Sequence, residues 1–211
     1  MKKNSTMSVA AISEKLYTVE EYIAFEEKSE VRHEFYLGHL YPMMAGTTDN
    51  HNEVKQNVVY AMREEFRKRG CKVYDENLKV QLADSKHYTY PDILLTCDER
   101  DLKDRYIKRY PSLIVEVLSE STSSYDRGDK FIAYQKIPSI QYYLLVESRW
   151  QCVELYTRTE QEDVWTYQIF TKSTDTIHFP KLDFSLPFSD IYEFVNIPSK
   201  LSKLILSASD E

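Results

Sequence analysis

The stretch Leu113-Ile114-Val115-Glu116-Val117-Leu118 constrains this chain most. Every position but one is apolar. Pro111 precedes it, and a hydroxyl cluster from Ser119 to Ser124 follows. An apolar run without alternation is how a strand covered on both faces reads. Glu116 stands in its middle, where an ionised carboxylate is costly unless it meets a cation or a metal. A second run, Ile93 to Cys97, follows Pro91-Asp92, so another lone acid sits at its mouth. If the two strands are neighbours, the carboxylates come together. The pair would suit a hard divalent cation with oxygen ligands, Mg²⁺ above all.

A third piece, Asp126 to Ile137, reads as an amphipathic helix with Phe131, Tyr134 and Ile137 inward and Lys130 in its first turn. Two acids and one amine are what a metal-dependent phosphodiester hydrolase needs. A plainer reading stays open on chemistry alone. Glu116 would meet Lys130 or an arginine in a structural ion pair, and Asp92 would cap a turn. Asp126, four residues before Lys130, is the local partner that this reading supplies.

The 211 residues, 42% of them hydrophobic, suffice for one well-buried domain with accessories. Its span is expected to be 16–197, between a polar N-terminal segment, 1–15, predicted to be disordered, and a tail, 198–211. No apolar run is long enough to cross a bilayer, and no signal-peptide pattern follows the basic start, so no membrane association is expected. Cys71, Cys97 and Cys152 are far apart without a CxxC. They argue against a disulfide framework or zinc site and suit a reducing cytoplasm. A net charge of −7 counts against a broad nucleic-acid surface but leaves room for a local basic patch. Four glycines and no glycine-rich loop exclude most nucleotide folds of that type.

Along the chain, Thr18 and Glu21 form a capping-box pattern at the head of a short helix with Val19, Tyr22, Ile23 and Glu26 on one face, which reads as a packing element. The block from His33 to Met43 reads as a hairpin turning at Leu37-Gly38-His39. Its Glu34 is either a third site acid or a surface residue. A helix begins at Asp49-Asn50-His51 and runs to about Arg69. His51, Val54, Val58 and Met62 share a stripe, with Phe66 at its edge. His51 starts that stripe near the positive helix end, which favours phosphate; a packed core histidine is the plainer alternative. Arg63, Arg67, Lys68 and Arg69, mixed with Glu64 and Glu65, read as a solvated face. Gly70 closes the helix. Lys72 to Leu82 reads as a strand interrupted near Asp75-Glu76-Asn77. Asp98 to Tyr110 reads as an exposed charged loop. Strands follow at 140–146, 151–156 and 164–170, the last two as a meander, with a further strand at 177–179 and a short helix near 189–194.

Taken together, these residues resemble the Uma-type endonuclease family of the restriction-endonuclease-like PD-(D/E)XK superfamily. The likeness runs from about Thr18 to Ile197. It rests on Arg32-His33-Glu34-Phe35-Tyr36-Leu37-Gly38, Asn50-His51, Pro91-Asp92, Val115-Glu116-Val117-Leu118-Ser119, Ser121-Thr122, Asp126, Lys130, Tyr134 and Tyr142 to Val146. It implies an α/β (α+β) fold: a mixed sheet flanked by helices, with added hairpins. It implies Mg²⁺, or Mn²⁺ in its place, held by Asp92 and Glu116 with the main-chain carbonyl of Val117. The wider superfamily carries a lysine two residues after the second acid. Here that position is Leu118, and the family's lysine from the following helix matches Lys130. Glu34 matches an acid that approaches the metal, and His51 a histidine near the site. His39 stands where the family often has an acid.

The implied activity is hydrolysis of phosphodiester bonds in DNA; RNA and structured nucleic acids stay open, and a homodimer would suit cutting of both strands. The competing reading, favoured by the acidic charge and the missing in-strand lysine, is a non-catalytic binding or scaffold protein that keeps the nuclease fold.

Overall fold

The computed structural model describes residues 15–43, 47–75, 78–82 and 84–199. Nearly all of the segment expected to be disordered, and the tail beyond Ser199, lie outside these residues.

In chain order the elements are α1 (Val19–Glu26), β1 (His33–Tyr36), β2 (His39–Pro42), α2 (Asp49–Phe66), β3 (Lys72–Asp75), β4 (Lys79–Gln81), β5 (His87–Thr89), β6 (Ile93–Thr96), α3 (Glu99–Lys103), β7 (Ile107–Lys108) and β8 (Leu113–Leu118). Then come α4 (Ser123–Tyr125), a π-helical turn (Asp126–Lys130), α5 (Phe131–Gln135), β9 (Tyr142–Glu147), β10 (Val153–Arg158), β11 (Trp165–Phe170), β12 (Thr176–Phe179), β13 (Phe184–Pro187) and α6 (Phe188–Ile191).

The central sheet has the order β11-β10-β9-β8-β6-β3. All six residues of β8 are buried, as its unbroken apolar run requires. One face packs on α2, where Val54, Val58, Val59, Met62 and Phe66 meet Val115 and Val117 together with the β12–β13 hairpin and α6. The other face carries Leu94, Ile114, Leu118, Tyr143 and Leu145 under Tyr134 and Ile137 of the helical segment. Each such side chain contributes roughly 1.5–3 kcal/mol by leaving water. Strands β8 and β9 are parallel, so the chain must cross over between them, and α4, the π turn and α5 are that crossover. The segment with Lys130 therefore lies across the sheet face beside β8.

A second sheet, β2-β1-β5-β4-β7, holds the hairpin and packs on α1 through Tyr22, Phe35, Leu40 and Tyr88. Both arms of the Thr18/Glu21 capping box form. The hairpin turns on two residues, Leu37 (φ 47°) and Gly38 (φ 88°), and His39 already belongs to β2. Positive φ at both is what the twist of a two-residue hairpin demands. The chain passes from this sheet to the central one through Tyr90-Pro91-Asp92, between β5 and β6. Pro91 offers no N–H to either ladder, so the break falls there.

Several expectations need correction. Lys72 to Leu82 is not one strand: β3 joins the central sheet and β4 the second. Asp98 to Tyr110 is not an exposed loop. It forms α3 and β7, pinned by buried Asp101, which accepts from the Arg109 and Tyr110 amides at 2.8 and 2.9 Å, and by buried Lys108, 2.6 Å from the Asp101 carbonyl. The helix expected over Asp126–Ile137 starts at Ser123 and widens into the π turn. Residues 184–187 form a strand, and the short helix expected near 189–194 is present but begins at Phe188 and ends at Ile191. Cys71 and Cys97 form a disulfide. The antiparallel register pairs Lys72 with Thr96, which sets Cys71 opposite Cys97. Sequence distance hid this cross-strand neighbourhood. Among the described residues no helix is long and apolar enough to cross a membrane.

With a sequence separation of 26, the Cys71–Cys97 bridge restricts the unfolded chain enough to be worth about 3 kcal/mol. Cys97→Ala, or a reductant, should lower the urea midpoint accordingly, whereas Cys152→Ala should not respond to the reductant differently from wild type.

Candidate active site

The β6–β8 ladder pairs Ile93 with Val115 and Leu94 with Ile114. One step further the same register sets Asp92 opposite Glu116. The two are tied reciprocally: the Asp92 amide donates to Glu116 Oε2 at 3.3 Å, and the Val117 amide donates to Asp92 Oδ2 at 2.8 Å. Like charges directly opposite on a sheet repel, and Glu116 is only 2% exposed. Something cationic has to accompany them.

Lys130 is one such group. Its Nζ lies 2.9 Å from Glu116 Oε1, 3.4 Å from Asp126 Oδ1 and 3.6 Å from Glu34 Oε1, and the residue is 8% exposed. Tyr134 OH donates to the same Glu116 oxygen at 3.1 Å. Burial pushes the Glu116 carboxyl up; Lys130 opposes that, while Asp126 and Asp92 add to it. Burial also pushes Asp126 up, against Lys130. Burial would strip Lys130 of its proton, but Glu116, Glu34 and Asp126 outweigh it and hold the amine charged, well above its ordinary range.

Glu34 arrives from β1. Thr89 Oγ1 donates to its Oε1 at 2.5 Å and Tyr125 OH to its Oε2 at 2.8 Å. His51 arrives from the first turn of α2, whose N-cap Thr48 accepts from the His51 amide at 3.2 Å. Its Nε2 stands 3.7 Å from Asp92 Oδ2, an ion-pair distance rather than a hydrogen bond. Its Nδ1 is buried without a hydrogen-bond partner among the described residues.

The structure thus brings Asp92, Glu116, Lys130, Glu34 and His51 to one place, and Val117 contributes its amide there. Asp126 does reach Lys130 as the i−4 partner, but it also completes a ring of acids around the amine. Thr89, Tyr125 and Tyr134 hold the acids by hydrogen bonds that the sequence reading does not assign to them. The i+4 spacing of Tyr134 from Lys130 was a signal for one of them; no sequence signal pointed to Thr89 or Tyr125, which approach from other elements. Leu118, where a strand lysine would stand, is fully buried in the apolar layer under Tyr134. Of the basic cluster at the C-terminal end of α2, Arg63 pairs with Asp75 at 2.6 Å, and Arg69, just beyond the helix, with Glu65 at 2.5 Å.

Three carboxylates, Glu34, Glu116 and Asp126, lie within ion-pair distance of one lysine, and a fourth, Asp92, is cross-bonded with Glu116 beside them. The donor set is all oxygen at its acidic end, and a hard divalent cation would offset the excess charge. Mg²⁺ is commonly held by one or two carboxylates and keeps several waters. Among the described residues no group of three His, Cys, Asp or Glu side chains is gathered as a metal cluster, so the fit is to that sparse, water-rich coordination.

A family model described as "Uma2: Putative restriction endonuclease" matches residues 19–189. The "Uncharacterized protein slr1290" of Synechocystis sp. is 34% identical over 175 residues, covering 82% of this chain and 90% of that protein. The "Uncharacterized protein sll1609" of the same organism is 33% identical, covering 68% of this chain and 82% of that protein. A crystal structure of "a putative nuclease belonging to DUF820" from Anabaena variabilis superposes with a TM-score of 0.70 at 16% identity, over 85% of this chain and 99% of that one. The mixed sheet flanked by helices is a restriction-endonuclease-like fold.

Two stability measurements separate the roles of charge here. Lys130→Met removes the amine from three acids and should cost about 3–5 kcal/mol at pH 7. Because Lys130 depresses the buried Glu116 and Asp126 carboxyls, its loss raises them further. Protonating them on acidification should therefore restore part of the stability in urea titrations toward pH 5. Asp92→Asn should instead stabilise by about 0.5–1 kcal/mol, since it relieves repulsion across the ladder.

Proposed function

This chain belongs to the Uma2 family, and on that premise we propose that it is a nuclease that hydrolyses phosphodiester bonds in DNA with the help of Mg²⁺ or Mn²⁺. The carrying observation is the amine of Lys130 at 2.9 Å from Glu116, whose carboxylate is cross-bonded with Asp92. In this reading Asp92, Glu116 and the Val117 carbonyl hold the metal. When bound, a divalent ion lowers the pKa of a coordinated water and draws charge from the phosphate.

The chain's own residues supply the rest. Lys130 keeps its proton, orients the attacking water and stabilises charge on a phosphate oxygen. Glu34, fixed by Thr89 and Tyr125, keeps that amine from settling on Glu116 alone. Tyr134 restrains one oxygen of Glu116. His51 stands at the N-terminal turn of α2, where backbone amides and the helix dipole favour a phosphate. A second copy acting on the other strand would turn nicks into breaks. A cytoplasmic setting belongs to this reading through its DNA substrate, since the Cys71–Cys97 bridge removes the argument from thiols.

One observation favours the scaffold reading. Lys130 already accompanies Glu116, and among the described residues no three His, Cys, Asp or Glu side chains stand close enough to share one metal ion.

Calorimetric titration with Mg²⁺ and Mn²⁺ and a cleavage assay on supercoiled DNA decide between the two. The nuclease reading expects one specific divalent site, and Asp92→Asn and Glu116→Gln should each lose at least about a hundredfold in cleavage while remaining folded. Relaxed product alone would speak for a single acting copy, linear product for two. A wild type with neither a divalent site nor cleavage of DNA or RNA would leave the scaffold reading standing.

A further inference from the structure

Helix α1 carries a carboxylate with no part in the chemistry above. Glu26 is 0% exposed. Its Oε1 accepts from the His33 amide at 3.0 Å and from Tyr90 OH at 2.7 Å, and its Oε2 accepts from His33 Nδ1 at 3.0 Å. Tyr22, one turn earlier on α1, donates its hydroxyl to the His33 carbonyl at 3.0 Å. Withdrawing a carboxylate from water costs several kcal/mol, which the three donors offset. An apolar side chain would have filled the space without that cost, so the position of the donors matters.

Those donors sit beside the acids of the site. His33 immediately precedes Glu34 in β1. Tyr90 is two residues before Asp92, and Pro91 between them has a locked φ, so few soft dihedrals separate the Tyr90 anchor from the Asp92 side chain. We infer that Glu26 is a positioning residue: one buried carboxylate on α1 holds the second sheet and the Pro91-Asp92 crossing at the spacing that lets Glu34 and Asp92 converge with Glu116 and Lys130. Its effect on catalysis rests on the nuclease reading. Its effect on geometry does not.

Amide hydrogen exchange tests the geometry. The Asp92 and Val117 amides donate to Glu116 and Asp92 across the β6–β8 ladder, so they report the alignment of the acid pair. Tyr90→Phe deletes one hydroxyl and keeps the ring. Glu26→Gln keeps the volume but turns an amide N–H₂ toward donors. Both should speed exchange at Asp92 and Val117 by about tenfold or more, while amides in β10 and β11 keep their wild-type protection. Ile177→Val, destabilising by about 1 kcal/mol in the α2-side core layer that the Val117 side chain also enters, should leave the Asp92 and Val117 amides protected. With metal and DNA present, kcat should fall in Tyr90→Phe with KM little changed. Unaltered exchange at Asp92 and Val117 in both variants, or acceleration spread evenly over the sheet, would overturn the assignment and leave Glu26 a packing residue. If wild type cleaves nothing, the exchange pattern still decides on Glu26, and the nuclease reading alone fails.

Discussion

The structure depends on one contact that a sheet would ordinarily avoid: two carboxylates set face to face across an antiparallel ladder. The β6–β8 register places Asp92 opposite Glu116, and the reciprocal amide bonds of Asp92 and Val117 keep them there. In a buried position such a pair needs positive charge close by. The surrounding architecture can be read as the means of bringing that charge in. The parallel pairing of β8 with β9 forces a crossover, and the crossover puts Lys130 on the acid face of the sheet. The second sheet brings Glu34 to the far side of the same amine.

The central strands were legible because burial on both faces leaves an unbroken apolar run, and a lone acid inside such a run is conspicuous. Glu116, Asp92 and Lys130 stood out for that reason, as did the stripe of α2 beginning at His51 and the Thr18/Glu21 cap. What stayed hidden depended on pairing between segments distant in sequence. Nothing local says that Cys71 faces Cys97, that β4 leaves the sheet β3 belongs to, or that Tyr125 reaches back to Glu34 from ninety-one residues on. The stretch from Asp98 to Tyr110 misled for a related reason. Its charge looked like exposure, whereas Asp101 and Lys108 spend their charges on backbone groups of their own loop. The π turn also escapes periodicity arguments, because one extra residue per turn looks like noise in a helical stripe.

Helix α1 shows how a packing element can matter to a site it does not enter. Its apolar side chains dock it on the second sheet, which the spacing of Tyr22 and Ile23 foretold. Its last residue does something else. A single carboxylate draws donors from β1 and from the turn before β6. Those are two of the places where the chain delivers an acid to the centre, Glu34 and Asp92. Hydrophobic contacts alone would allow the two sheets to slide by fractions of an ångström. Three hydrogen bonds converging on one buried carboxylate allow much less.

The relocation of the amine follows from packing. In the strand, the position two residues beyond Glu116 belongs to Leu118, which lies fully buried beneath Tyr134 with Leu145 and Tyr143 around it. A lysine there would have to leave water in an apolar layer. Bringing the amine from the crossover helix avoids that, but a regular α-helix would space Asp126, Lys130 and Tyr134 progressively around its circumference. The π turn over Asp126–Lys130 takes up the drift. With more residues per turn, i and i+4 come closer to eclipse, so Asp126 and Lys130 face the same way, and Tyr134, one α-helical turn on, still reaches Glu116. Such turns cost hydrogen-bond quality and tend to persist where a site needs them. In this chain that cost aligns an acid, an amine and a phenol from one helical segment over Glu116 of β8 and Asp92 at the mouth of β6.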